Sequence, residues 1–185
     1  MPLVSRAPVG ASLTLPLVAL FCSAGCIDSG GKDSGGDAGA GGDFAQAFVD
    51  AHNDARRSAE PTPSPALAEL SWDPALADLA ATWARGCVFE HSMGETGENL
   101  AIFSWSVQPA EVVDAWFSEI ADYDYGDNTC AAGKMCGHYT QLVWRDTTRV
   151  GCALQVCDDV AGFGPGELWV CEYDPPGNWV GEKPY

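Results

Sequence analysis

The sequence predicts an α+β domain in which helices cover an antiparallel sheet. Through residues 44–145, apolar residues recur mainly at helical spacing. In the last third of the chain they alternate with small or polar residues, as in a half-buried strand. Helices first and paired strands afterwards are typical of α+β domains, because α/β domains alternate the two kinds of element.

Two helices are predicted first. Residues 44–56 carry apolar side chains at helical spacing, with Asp43 as the expected N-cap. Three prolines between residues 61 and 65 then predict a loop. Asp73 as N-cap and Pro74 at the first helical position predict the start of a second helix. Its expected apolar face is Leu76, Leu79, Ala80 and Trp83, and Gly86 is its expected stop.

Two more helices and a strand pair follow. The apolar face Val112, Val113, Trp116, Phe117 and Ile120 predicts a third helix from about Pro109 to Ile120. Residues 138–145 can form a short fourth helix. The alternation over 150–156 and the apolar run 168–173 predict two strands, which a Gly/Pro-rich turn would pair antiparallel.

The N-terminal residues 1–26 predict an export signal rather than a part of the fold. Arg6 is their only charged residue, and the apolar run 13–21 is too short to cross a bilayer. The segment 23–26, Ser-Ala-Gly-Cys, resembles a bacterial lipobox, although Ser23 stands where leucine is usual. We therefore expect lipidation of Cys26, with ordinary cleavage near Ala24 as the alternative.

Residues 27–43 are rich in Gly, Ser and Asp and carry too few apolar side chains for a core, so they predict a flexible tether. The globular part is then expected at residues 44–185. This layout describes an exported protein, either secreted or held at the cell envelope by a lipid on Cys26.

The charge of the chain restricts its partners. Nine Lys and Arg against 26 Asp and Glu give a formal net charge of -17. Because such a chain repels phosphate backbones, nucleic acid is not an expected partner. Divalent metals, cationic ligands and basic surfaces remain open, and so does the alternative that the charge only keeps an exported protein soluble.

Six of the eight cysteines lie beyond the tether, at positions 87, 130, 136, 152, 157 and 171. An even number in an exported domain indicates three disulfides, although spacing alone leaves fifteen pairings open. The spacing of zinc ribbons does not occur, which argues against a cysteine metal site.

Seven short motifs resemble those of the CAP superfamily, in the same order. They are Ala51-His52-Asn53-Asp54-Ala55-Arg56, Ser71-Trp72-Asp73, Glu90-His91-Ser92, Gly97-Glu98-Asn99-Leu100-Ala101, Trp116-Phe117-Ser118-Glu119, Cys136-Gly137-His138-Tyr139-Thr140-Gln141 with its continuation to Arg145, and Cys171-Glu172-Tyr173-Asp174-Pro175-Pro176-Gly177-Asn178-Trp179. That superfamily (the SCP domain) contains cysteine-rich secretory proteins, insect antigen 5 and plant pathogenesis-related class 1 proteins. The resemblance is closest to the plant type, covers residues 44–185 and implies an α-β-α sandwich.

The resemblance also implies the disulfides and a site. The implied pairs are Cys87–Cys157, Cys130–Cys136 and Cys152–Cys171. The implied cavity is lined by two histidines and two glutamates, His91, Glu98, Glu119 and His138. Imidazole is a common metal ligand, so this set could bind Zn²⁺ or another divalent cation. The carboxylates could be ligands or could fix the imidazole tautomers. His52 is interpreted as a hydrogen-bonded scaffold residue.

These residues allow three functions. The expected one is a non-enzymatic binding protein for a lipophilic or small ligand, assisted by a divalent cation. The alternative is a metal-dependent hydrolase or peptidase-like enzyme in which His91, Glu98, Glu119 and His138 are catalytic. The sequence offers that alternative no Gly-x-Ser-x-Gly elbow and no evident free thiol. By resemblance, Tyr123 and Tyr125 are expected in a ligand-facing loop that binds lipid or sterol.

Overall fold

The computed structural model describes the backbone of residues 38–185 and the side chains of residues 42–185. The expected export segment, Cys26 and most of the expected tether lie outside this range. Its helices are α1 (Ala38–Arg57), α2 (Pro74–Ala84), α3 (Pro109–Phe117) and α4 (Gly137–Leu142), and a 3₁₀ helix spans Ser118–Asp122. None of the helices in this range has the length and apolar character needed to span a membrane.

Six strands form two sheets. The strands are β1 (Ser71–Trp72), β2 (Gly97–Phe103), β3 (Tyr123–Asp124), β4 (Thr129–Cys130), β5 (Arg149–Cys157) and β6 (Gly166–Asp174). The main sheet has the order β1-β5-β6-β2, antiparallel except for the short parallel pair β1–β5. Strands β3 and β4 form a separate antiparallel pair. The predicted α+β class and the predicted antiparallel pairing of β5 with β6 are confirmed.

Helices cover both faces of the main sheet, which confirms the α-β-α sandwich. One cluster of buried residues joins α1, α3 and α4 to alternate residues of β5 and β6, among them Val150, Trp169 and Tyr173. A second cluster joins α2 to the opposite face through Ala80, Ala84, Leu100, Leu168 and Val170. This two-sided burial explains why the apolar residues of β6 run almost without interruption.

Helix α2 approaches the sheet most closely at Gly151. A Cβ atom added there would lie 2.2 Å from the backbone nitrogen of Ala77, a distance that real contacts do not reach. The absence of a side chain at Gly151 therefore sets how near α2 can lie to β5. The start of α2 is as predicted, since Asp73 caps it by accepting from the Ala75 nitrogen at 2.8 Å.

Three predicted helix boundaries were wrong. Helix α1 begins at Ala38, so Asp43 lies exposed inside it and does not cap it, and the last residues of the expected tether are helical. Helix α3 ends at Phe117, and the 3₁₀ helix continues the chain. Helix α4 ends at Leu142, and the backbone nitrogen of Arg145 instead donates to the oxygen of Pro184 at 2.7 Å.

Three disulfides lie at the positions that the resemblance implied: Cys87–Cys157, Cys130–Cys136 and Cys152–Cys171. The last pair joins registered partners on β5 and β6. The first connects the loop after α2 to the end of β5, and the second connects β4 to the residue before α4. Disulfides of this number are typical of proteins outside the cytoplasm.

Candidate functional site

A cavity of about 470 Å³ lies where α4 and the start of β2 meet the loop after β6. His91 and His138 both line it, together with Glu98 and Asn99 of β2 and Asn178 of the C-terminal segment. The structure therefore brings together two histidines that are 47 positions apart in the sequence. Glu119 does not line the cavity and acts on it through His138.

Glu119 fixes the orientation of His138. Its Oε1 lies 2.6 Å from His138 Nδ1, and its Oε2 accepts from the backbone nitrogens of His138 and Tyr139 at 3.0 and 3.1 Å. Because a carboxylate can only accept, Nδ1 carries the proton of the ring. In the neutral ring, Nε2 is then the nitrogen with a free electron pair, as a metal ligand requires.

Glu98 and His91 repeat this arrangement. Glu98 Oε1 lies 2.7 Å from His91 Nδ1 and accepts from the backbone nitrogen of Ser92 at 3.0 Å. The side chain of Glu98 is 5% exposed and that of His91 is 58% exposed. His91 is thus an exposed rim residue that a buried carboxylate holds through Nδ1.

A buried polar network supports His138 from behind. The ring of Trp116 stacks on the His138 ring with the centroids 6.1 Å apart. Asn99 Nδ2 donates to the His138 backbone oxygen at 3.1 Å and to the Tyr173 hydroxyl at 3.3 Å. His52 contacts the same hydroxyl through Nε2 at 2.9 Å. His138 is therefore held in position by the core as well as by Glu119.

His52 has the scaffold role expected for it. It is fully buried, and its Nδ1 lies 2.7 Å from the Phe48 backbone oxygen. Burial lowers the pKa of His52 to about 4, so the ring is neutral at physiological pH. One of its ring nitrogens lies within 4.8 Å of the sulfurs of Cys152 and Cys171, but those sulfurs are joined in a disulfide and cannot act as thiolate ligands.

Sequence reasoning missed Glu172, which does not line the histidine cavity but lies beside Glu98, which does. Glu172 of β6 pairs with Glu98 of β2, so both side chains lie on the face of the sheet that α2 covers. Glu98 Oε2 is buried and, among the residues that the structure describes, has no hydrogen-bond partner. Burial, together with the adjacent Glu98 carboxylate, raises the pKa of Glu172 to about 7, although a hydrogen bond from Thr96 opposes the shift.

Tyr123 and Tyr125 lie apart from the histidine cavity. Both are half-buried and border a shallow depression of about 600 Å³ near Ile120. The Tyr123 hydroxyl donates to Asn128 Oδ1 at 2.6 Å, and the Tyr125 ring stacks on Tyr185 with a centroid distance of 4.7 Å. Both rings thus already make contacts within the protein, and each keeps part of its surface exposed to the depression.

Comparison with known proteins agrees with the fold and the motifs. The cysteine-rich secretory protein family (CAP) matches residues 49–173. Pathogenesis-related protein PR-1 of Medicago truncatula is 46% identical over 126 residues, which are 64% of this chain and 69% of that protein. GLIPR1-like protein 1 of Mus musculus is 38% identical over 154 residues, which are 77% of this chain and 64% of the mouse protein. The chain thus spans just under two thirds of that mouse relative.

The fold is also similar to that of a solved structure, NaASP2 with Zn²⁺. The two share 26% identity and a TM-score of 0.60, over 84% of this chain and 90% of the other. From the family match, the relatives and the shared sandwich, the chain belongs to the CAP family of cysteine-rich secretory proteins. The three disulfides and membership of a family of secretory proteins agree with the expected export of the chain.

Proposed function

We propose that this CAP protein is a non-enzymatic binding protein for a lipophilic or small ligand, and that it holds a divalent cation such as Zn²⁺ through Nε2 of His91 and of His138. The observation that supports this most is the pair of His–Glu hydrogen bonds at one cavity. Each carboxylate occupies the Nδ1 side of its ring, at 2.7 Å in one pair and 2.6 Å in the other. Both rings are thereby prepared for binding through Nε2.

The donor set fits the cation. Zn²⁺ accepts imidazole nitrogen readily and keeps water in the positions that protein ligands leave open. In this arrangement Glu98 and Glu119 orient the two rings and strengthen them as bases, rather than binding the cation directly. NaASP2, whose fold is similar to that of this chain at 26% identity, was solved with Zn²⁺, and this supports Zn²⁺ as the cation.

Calorimetric titration of Zn²⁺ into the oxidised protein tests the cation site. We expect saturable binding at one site, and its loss in the double variant His91→Ala/His138→Ala. Asp158→Asn is the matched control, because Asp158 is exposed and follows the far end of β5. Equal binding in the double variant and the parent would contradict the proposal and assign the heat to exposed carboxylates.

A binding role is better supported than a catalytic role for the set of two histidines and two glutamates. In the part of the chain that the structure describes, no hydroxyl or thiol side chain is hydrogen-bonded to His91 or His138, and each Nδ1 is bonded to a carboxylate. A hydrolase would therefore depend on an activated water as its nucleophile. Metal-dependent hydrolysis of ester or peptide probes that disappears in Glu98→Gln would favour the enzyme instead.

The lipophilic part of the proposal concerns the depression near Tyr123 and Tyr125. Aromatic rings that are half-buried offer large apolar contact at little cost in side-chain entropy. We expect the double variant Tyr123→Ala/Tyr125→Ala to retain less radiolabelled sterol or fatty acid than the parent. Phe163→Ala is the control, because Phe163 is 76% exposed on a different loop. Unchanged retention in the tyrosine variant would remove the assignment.

A further inference from the structure

A second groove of about 400 Å³ lies between α2 and the loop of residues 92–96. Leu79 and Trp83 of α2 form its apolar wall, Glu95 lies at its rim, and Glu172 of β6 also lines it. Leu79 is 52% exposed although the helical pattern predicts it in the core, so it faces this groove instead of the sheet. The groove is distinct from the histidine cavity, which shares none of these residues.

The groove contains a carboxylate with spare hydrogen-bonding capacity. Glu172 is only 2% exposed, and within the described residues its side chain receives one hydrogen bond, from Thr96 Oγ1 to Oε2 at 2.6 Å. Directly opposite, Glu98 Oε2 is buried without any hydrogen-bond partner. Two adjacent buried carboxylates are costly when both are ionised, so the carboxylate of Glu172 and Glu98 Oε2 form a place where positive charge would be stabilised.

Arg85, the residue that follows α2, does not supply that charge. Arg85 donates through its guanidinium to Thr82 Oγ1 at 2.9 Å and, in the described part of the chain, forms no ion pair with Glu95 or Glu172. When Glu172 is ionised, the groove thus carries negative charge that no ion pair among the described residues balances. An occupant with a positive group would complement it.

The wall of the groove indicates what the rest of that occupant is made of. Trp83 donates through Nε1 to the Glu90 backbone oxygen at 2.8 Å, which fixes the plane of the indole. A fixed indole and the exposed Leu79 side chain suit a hydrocarbon, and the face of an indole also attracts an organic cation. A bare metal ion would leave this apolar wall uncovered.

We propose that this groove binds an organic ammonium compound, in which the ammonium group donates to Glu172 and an alkyl or arylalkyl part packs along Leu79 and Trp83. The volume of about 400 Å³ lies within the range of small-molecule sites. The ammonium group supplies the donors that Glu172 lacks and the positive charge that the Glu98–Glu172 pair lacks. This site does not depend on the cation bound through His91 and His138.

Calorimetric titration of the full-length protein with hexylammonium tests the proposal, with hexanol as the neutral probe of the same length. The titrations are run at mildly alkaline pH, above the pKa of about 7 of Glu172, so that its carboxyl group is charged. A chelator is present so that metal in the histidine cavity plays no part. The key variant is Glu172→Gln, because its amide can still accept from Thr96 and can donate to Glu98 Oε2. This variant is expected to fold at least as well as the parent, so a loss of binding reports the lost charge.

We expect saturable binding of hexylammonium to one site of the parent protein. Hexanol should bind the parent at least ~10-fold more weakly, and so should hexylammonium bind the Glu172→Gln variant. A factor of this size corresponds to the loss of one hydrogen bond to a charged group. Leu79→Ser should also weaken binding, whereas Asp158→Asn should not. Equal affinity for hexanol, unchanged affinity in Glu172→Gln or no binding at saturating probe would each overturn the proposal. So would binding of Ca²⁺ alone that excludes hexylammonium and disappears in Glu172→Gln, because it would identify an inorganic cation site.

Discussion

Glu98 and Glu172 are registered partners on adjacent antiparallel strands, and their two carboxyl groups lie together under α2. One oxygen of Glu98 holds His91, and the other is buried opposite Glu172. The pair therefore lies between the histidine cavity and the groove beside α2. Two adjacent buried carboxylates cost stability when both are ionised. A function of the Glu98–Glu172 pair would explain why the protein keeps them, and this can be tested.

The first prediction concerns the stability of Glu172→Gln as a function of pH. The pKa of Glu172 is about 7 in the folded protein against 4.5 as its ordinary value, so in this window the folded state holds a proton that the unfolded chain has lost. The contribution of Glu172 to the free energy of unfolding therefore falls as pH rises through the window. The free energy of unfolding of Glu172→Gln, relative to that of the parent, should therefore rise from pH 4.5 to about 7, by at most about 3 kcal/mol.

Urea unfolding of the two proteins across this range, with a chelator present, measures that difference. The comparison with the parent is necessary because His52, whose pKa is lowered from 6.5 to about 4, contributes in the opposite direction over an overlapping range. Its contribution cancels between the two proteins. A difference that stays constant with pH would show that Glu172 does not titrate in this window.

The second prediction concerns Glu119→Gln and the tautomer of His138. Glu119 accepts from the ring and from two backbone nitrogens, and a glutamine has one acceptor oxygen in place of two. We expect Zn²⁺ affinity to fall by roughly 10- to 100-fold. Nitrogen NMR shifts of His138 should show less of the tautomer with the proton on Nδ1. Asp114→Asn, an exposed acid one turn earlier, is the control. Unchanged affinity would mean that Glu119 only supports the start of α4.

The candidate site could be predicted from the sequence only through resemblance. Glu119 and His138 are 19 positions apart, and it is the packing of α3 and its 3₁₀ extension against α4 that joins them. No local pattern carries that information. Glu172 was missed for a different reason, since a glutamate within a strand ordinarily indicates a solvated face, and the cover provided by α2 depends on tertiary structure.

The fold was more accessible to local signals. Asp73 and Pro74 mark the start of α2 correctly, because capping chemistry is local. Strand β2 was not predicted, although it completes the main sheet. Its consecutive residues Asn99 and Leu100 are both buried, since both faces of the sheet are covered, and the alternation that reveals a strand is therefore absent.

The third prediction compares two disulfides. Cys87–Cys157 joins residues 70 positions apart, and Cys130–Cys136 joins residues 6 apart. By loop-closure entropy, replacing both cysteines with serine should cost about 4 kcal/mol in the first case and about 2 kcal/mol in the second. Denaturant unfolding of the two double variants gives the order. Equal losses, or a larger loss for the short loop, would show that native packing rather than the entropy of the unfolded chain dominates.

The fourth prediction concerns Cys26, which lies outside the described residues. If Cys26 carries a lipid, the exported protein should fractionate with membranes, and Cys26→Ser should shift it to the soluble extracytoplasmic fraction. Cys22→Ser is the matched control, because Cys22 lies in the same segment but outside the lipobox-like motif. An unchanged membrane fraction in Cys26→Ser would remove lipid anchoring and leave ordinary secretion.

Anomalous diffraction from crystals grown with Zn²⁺ tests most directly whether His91 and His138 together bind a divalent cation. We expect one strong peak within bonding distance of Nε2 of both rings, about 2.0–2.1 Å from each, with Glu98 and Glu119 still hydrogen-bonded to the Nδ1 atoms. A peak bound only by exposed carboxylates, or none in the cavity at saturating Zn²⁺, would contradict it.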